Sequence, residues 1–179
     1  MSGSNIFMQL ITGAGPVVGE GLLEGWAGAV EVLGFDWGMR ALKESKDKKG
    51  GLAGAASAVA SMAGFGSSVT MNFQPLVIKK RFDVASSQMH FCVDNHLPVV
   101  SATITVLHIK QQGRAVHQPG FVLIATLGYF EKCTFDVQES GNSKELIETY
   151  TLNFKSIKMN YLKTLGKDNL PTAPFFHSL

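Results

Sequence analysis

A mainly β fold is what this sequence predicts: a two-sheet β-barrel or sandwich with one short flanking α-helix and one long extended loop. Three observations predict it. Residues 99–110, 121–138 and 147–161 are long β-branched and aromatic runs separated by turn-rich stretches. Helical spacing over an anchored stretch occurs once, near residues 86–95. No alternation of strand and helix patterns is present, which excludes a parallel α/β sheet.

Residues 5–11 form an apolar run suited to a first strand, and 12–28 read as a Gly-rich connection. Residues 30–40 alternate. Leu33, Phe35, Trp37 and Met39 share one parity and are expected in the core, whereas Gly34, Asp36, Gly38 and Arg40 share the other and are expected outside. Residues 42–68 begin with a charge cluster and pass into Gly, Ala and Ser, a long excursion of the kind that is usually functional in a compact domain. A short helix over 52–63 is the only regular element that composition supports there.

Residues 69–79 alternate as a strand, with an edge position or an irregularity at Pro75, which has no N–H to donate. Ser86 or Ser87 can cap a helix to about Asn95, with Met89, Val93 and Leu97 facing inward and residues 96–98 ending it. Residues 111–120 and 139–144 are expected as hairpin connections. In the last run Tyr150, Leu152 and Phe154 share one parity and Ile157, Met159 and Tyr161 the other, so a β-bulge is expected between Phe154 and Ile157. Pro171 and Pro174 argue against regular structure in the tail, residues 168–179.

At 179 residues one domain is expected, burying about 70% of its unfolded surface. Basic residues number 16 against 14 acidic, for a net charge of +2, and they form no stripe, which speaks against a nucleic-acid partner. Charged residues make up only 17%, leaving apolar surface for a protein partner. Cys92 and Cys133 are too few for a disulfide framework. The first residues lack a basic start and long apolar run, so a cytoplasmic origin without a signal peptide is expected. The longest Ala- and Gly-rich stretch is too short to span a bilayer, so no membrane insertion is expected.

Each chemical motif has a plainer reading that is preferred. Gly13, Gly15 and Gly19 after a strand, with Asp36 at the distance of a ribose-binding acid, imitate a dinucleotide turn, but Gly21, Gly25 and Gly28 break the helix such a turn needs, leaving a mobile loop. His90 with Asp94, and Cys92 with His96, are spaced i, i+4 on the helix but on different faces, so neither pair assembles a metal site. Tyr129 and Lys132 stand three apart in a strand run and should point to opposite faces. His108 and His117 lack any sequence that would orient a nucleophile beside them. Phe35, Trp37, Phe121, Tyr129, Phe135 and Phe154 read mostly as core. No catalytic residue, cofactor or metal is expected, and the chain reads as a non-enzyme.

Three strings nevertheless point further. Residues 32–39 (VLGFDWGM) place two aromatics one residue apart before Gly-Met and a Gly-rich loop; residues 73–81 lead into a short helix at 86–95; and residues 148–154 (ETYTLNF) contain a Thr-Leu-Asn-Phe string. In this order and spacing, over nearly the whole chain, they resemble the haemolysin-coregulated protein (Hcp) family of bacterial type VI secretion. The loop at 42–68 is longer and richer in Ala than the family pattern, and the tail adds Pro and Phe. The resemblance implies a homo-hexameric ring that stacks into a tube, surrounded by a sheath, tipped by a spike and carrying secreted effectors. On it, Gly34, Asp36, Gly38 and Arg40 are expected to line the channel. Lys46, Lys48, Leu52, Met62 and Phe65, in the long loop, are expected to touch a neighbouring subunit or ring. A tail-tube protein of a phage or related contractile particle is the alternative.

Overall fold

The computed structural model describes residues 5–43, 69–112, 114–141, 143–162 and 171–178. In chain order the strands are β1 (Ile6–Thr12), β2 (Gly15–Val17), β3 (Val30–Glu31), β4 (Gly34–Asp36), β5 (Met39–Lys43), β6 (Val69–Phe73), β7 (Leu76–Arg81), β8 (Pro98–Gln112), β9 (Arg114–Ser140), β10 (Ser143–Asn153), β11 (Ser156–Leu162) and β12 (Pro171–Ser178). A single described helix, α1 (Val84–Asp94), joins β7 to β8. The chain divides into two compact units, Met1–Asp36 with Pro75–Leu179, and Trp37–Gln74.

The mainly β class forms, with one helix among the described residues. Rather than two separate sheets, the first unit holds one continuous ten-stranded sheet, in the order β2-β1-β8-β9-β10-β7-β4 with β3, β11 and β12 branching from it. Continuity comes from β9. Its first half pairs with β8 and β11, and its second half with β10. The expected connection at 111–120 is strand almost throughout, since Gln112 already pairs with Arg114. The second hairpin turns at Gly141, whose φ of +62° is a left-handed conformation that glycine adopts without penalty.

A transverse crease turns the sheet over. Buried positions change parity from Val99 to Ala102 on β8, from Phe130 to Ala125 on β9, and from Phe154 to Ile157 between β10 and β11. Between them Val100, Leu127 and Lys155 all point to solvent. The parity change expected at Phe154–Ile157 is therefore real. Its cause is a break in the strand with the β9 register kept across it, not a bulge; the bulge itself lies one step earlier, between Thr151 and Leu152, where Glu131 is the extra residue on β9. Leu127 is held at φ +55°, and any Cβ on Gly128 would come within 2.1 Å of the Asn153 carbonyl oxygen, so close strand approach requires glycine there.

The stretch expected as one strand at 30–40 is three short ones, and its core parity is not the expected one. Val30 and Val32 are buried, Leu33, Phe35 and Trp37 are half-buried, and Met39 is exposed. Among the described residues β4 lies at the sheet edge, paired to β7, which leaves Leu33 and Phe35 only partly covered. Of the aromatics read as core, Phe154 is buried, Phe35 and Phe121 stack 6.2 Å apart while half-buried, and Tyr129 and Phe135 are exposed. Pro75 does interrupt its run, separating β6 from β7. The tail at Pro171–Ser178, contrary to expectation, is a strand. Among the described residues it pairs only with β11, and an edge strand tolerates proline because one side needs no donor.

In the second unit β5 and β6 pair antiparallel from Met39↔Phe73 to Lys43↔Val69, and Trp37 stacks on Phe73 with ring centroids 6.1 Å apart.

Candidate functional site

Helix α1 begins at Asp83, not at Ser86 or Ser87. The Asp83 carboxylate accepts a hydrogen bond from the Ala85 N–H, and the Ser86 hydroxyl accepts one from the Asp83 N–H, a reciprocal capping box. Met89 is buried as expected, with Ala85, Ser86 and Cys92, while Val93 and Leu97 are only half-buried. At the other end His96 adopts φ +48°, and the N–H groups of His96 and Leu97 donate to the carbonyls of Val93 and Cys92, a Schellman closure.

Under this helix lies the most charged interior of the described residues. Lys80 and Glu148 stand opposite each other on β7 and β10, both fully buried, with Lys80 Nζ 2.8 Å from Glu148 Oε2. The ammonium also donates to the Ser86 hydroxyl at 2.9 Å and the Arg81 carbonyl at 2.7 Å, and pairs with Asp83 at 2.8 Å. Ser86 in turn donates to Glu148 Oε2 at 2.7 Å. Helix cap and ion pair thus share one serine.

The second carboxylate oxygen opens onto different chemistry. Glu148 Oε1 lies 2.7 Å from His90 Nε2, and that nitrogen lies 3.7 Å from Cys133 Sγ. Neither Oε1 nor the buried hydroxyl of Tyr150 meets a partner in good hydrogen-bond geometry. Burial, with the charge of Glu148 beside it, pushes the Cys133 thiol up from its ordinary range, and burial together with Cys133 and Glu148 raises the Tyr150 phenol as well. A thiol so shifted is not a standing nucleophile. His90, Cys133 and Glu148 are the described residues placed to hold a metal ion.

Sequence reasoning weighed two i, i+4 pairs on the helix and preferred neither as a metal site. His90 faces Glu148 rather than its i+4 neighbour Asp94, which is exposed, and Cys92 is buried while His96 forms the helix end. The bulge at Glu131 also cancels the alternation separating Tyr129 from Lys132: they oppose Asn153 and Thr151, hence share a face, where both are exposed. The residues resembling a dinucleotide turn form a hairpin, β1 to β2, with no helix after it. Residues 19–29 are not a free loop: Gly19 and Gly21 donate to the carbonyls of Gly28 and Ala29.

Of the expected channel residues, Asp36 is exposed and Gly34 half-buried on edge strand β4, paired to Val77 and Lys79. Gly38 belongs to the second unit, as does Arg40, opposite Asn72 on the β5–β6 ribbon. Lys46, Lys48, Leu52, Met62 and Phe65 lie outside the described residues. Beyond the helix Phe82, Phe135, Val137 and Leu146 are all exposed; Leu146 opposes Val137 and accepts the Phe82 N–H at its carbonyl. No described helix is long and apolar enough to cross a membrane.

No protein-family model matches the sequence, and no curated protein sequence does. Solved structures match from end to end. Hcp1 from E. coli EAEC 042 superposes at TM-score 0.70 and 12% identity, covering 98% of this chain and 99% of that one. The secreted protein Hcp3 from Pseudomonas aeruginosa matches at 0.64 and 11%, with 97% and 96% covered. A weaker likeness, at 0.50 and 9% with 89% and 94% covered, is to the six-fold symmetrised baseplate of the anti-feeding prophage. The ten-stranded antiparallel sheet of the first unit, the capped helix α1 and the near-complete coverage of both chains agree on one result: the chain has the Hcp fold.

Proposed function

We propose that this chain is a structural subunit of the type VI secretion inner tube, a non-enzyme that closes into hexameric rings with copies of itself. The rings stack into a tube that sheath contraction expels behind a spike, with effectors held in the lumen. The protein starts in the bacterial cytoplasm and leaves through the apparatus. The observation that carries this reading is the likeness to Hcp structures over 98% of the chain.

The surfaces support it. Strands β2, β4 and β12 each pair on one side only among the described residues, so their free edges are available to a neighbour. Phe82, Phe135, Val137 and Leu146 expose contiguous apolar area of the kind that marks a protein interface. A head-to-tail contact between an edge and such a patch closes into a ring when the rotation divides the circle. Gly34, Asp36, Gly38 and Arg40 are assigned to the channel wall, where small and polar side chains leave room for cargo and water. Lys46, Lys48, Leu52, Met62 and Phe65 are assigned to contacts with the next subunit or ring. The prophage baseplate likeness keeps a tail-tube role in a phage-like contractile particle as the second reading.

Sedimentation and native mass measurement of the purified protein test this directly. A species of six subunits, seen as rings by negative stain, is expected, and Asp36→Trp should keep the ring while lowering the amount of effector that copurifies. A monomer at high concentration overturns the reading, and a variant that no longer forms rings removes Asp36 from the channel wall.

A further inference from the structure

We infer that His90, Cys133 and Glu148 form a binding site for a divalent transition metal of the zinc class. The three side chains come from α1, β9 and β10, and their ligand atoms lie within 4.8 Å of one another. Tetrahedral coordination with metal–nitrogen and metal–oxygen bonds of about 2.1 Å and a metal–sulfur bond of about 2.3 Å separates ligands by roughly 3.3–3.7 Å. The His90–Cys133 distance of 3.7 Å already fits, and the His90–Glu148 distance of 2.7 Å must open slightly, which the half-exposed imidazole can allow.

Two further features point to a cation. Glu148 Oε1 is a buried carboxylate oxygen facing the His90 ring nitrogen at 2.7 Å, and the fully buried Tyr150 hydroxyl stands beside Cys133 and Glu148. Such groups are costly unless something satisfies them. Formal charge agrees. Lys80 against Glu148 and Asp83 leaves one net negative charge, and a divalent ion that displaces the Cys133 proton brings the cluster to zero. The mixed sulfur, nitrogen and oxygen donor set selects a zinc-class ion over calcium or magnesium, which take oxygen alone. A fourth position stays open for water or the Tyr150 oxygen. The metal would tie the helix to the β9–β10 hairpin, whatever the assembly state of the chain.

Cobalt reports the site. Protein freed of metal with a chelator and titrated with Co²⁺ should show a saturable one-to-one thiolate-to-metal charge-transfer band that Zn²⁺ abolishes. Cys133→Ser should lose the band and bind at least about 100-fold more weakly, since losing even an outer-shell partner costs roughly 10–100-fold. His90→Gln should weaken it similarly, and Cys92→Ser should leave it unchanged. Zn²⁺ should also raise the thermal midpoint of the unaltered protein and not that of Cys133→Ser. Absence of the band, its survival in Cys133→Ser, or its loss in Cys92→Ser alone overturns the inference. None of these readouts depends on ring formation.

Discussion

Two segments cover the sheet of the first unit, and they do so by opposite means. The loop at residues 18–29 lies over β1 and β8 through an apolar satellite core: Phe7, Ala29 and Leu107 are buried, Leu23 and Trp26 pack on them, and Phe7 stacks on Trp26 at 5.5 Å. Its backbone is closed by glycines, because a Cβ on Gly19 or Gly21 would fall within 2.6 Å of backbone atoms across the loop. Helix α1 instead meets β7 and β10 through an ion pair that reuses the helix cap. Apolar cover is forgiving of small shifts, since its energy follows area. Ionic cover is not, because each group removed leaves another buried without its partner.

That difference is broken most sharply at Lys80. Lys80→Met should cost about 3–5 kcal/mol of unfolding free energy, as it strands the Glu148 carboxylate with only Ser86 and His90 for company. Glu148→Leu should cost less, because Lys80 keeps Asp83, Ser86 and the Arg81 carbonyl. The double variant should regain most of the loss, read by denaturant titration as a large coupling energy. Additive losses would mean that the two charges do not depend on one another. On the apolar side Trp26→Ala should cost about 2 kcal/mol, reduced from the roughly 3–5 of a fully buried aromatic because the indole is half-exposed. It should show no coupling to Lys80→Met. A larger cost than that of Lys80→Met would reverse the ranking of the two covers.

Much of this was legible in the sequence, and the rest was hidden for identifiable reasons. β-branched runs announced the long strands, Pro75 announced a break, and the change of parity after Phe154 announced the crease. The ionic cluster also left a trace: Lys80 continues the parity of Leu76 and Ile78, and Glu148 that of Tyr150 and Leu152, so each puts a charge on a buried face, which demands a partner. Which partner could not be read, because register between β7 and β10 is a tertiary property. The His90–Cys133–Glu148 grouping escaped for the same reason, as local i, i+4 spacing sees only one helix. Tail strand β12 was masked by its prolines, which exclude a central strand but not an edge. Asp83 was passed over as a cap in favour of two serines, although one of them, Ser86, completes the capping box.

The crease offers the smallest effect and the cleanest sign. Leu127 is 63% exposed yet sits at φ +55°, a conformation that costs a non-glycine residue roughly 1 kcal/mol. Its neighbours leave it little choice, since Lys155 donates its N–H to Thr126 and Gly128 is pressed against the Asn153 carbonyl. Leu127→Gly removes the strain while giving up little buried apolar area, but it also loosens the unfolded chain. The balance should be a change between zero and about 1 kcal/mol in the stabilising direction, whereas glycine in an ordinary strand is destabilising. A clear loss of stability in chemical unfolding would mean that the side chain, not the backbone, holds the crease, and that the three exposed residues in that row, Val100, Leu127 and Lys155, act through contacts rather than through the turn they impose.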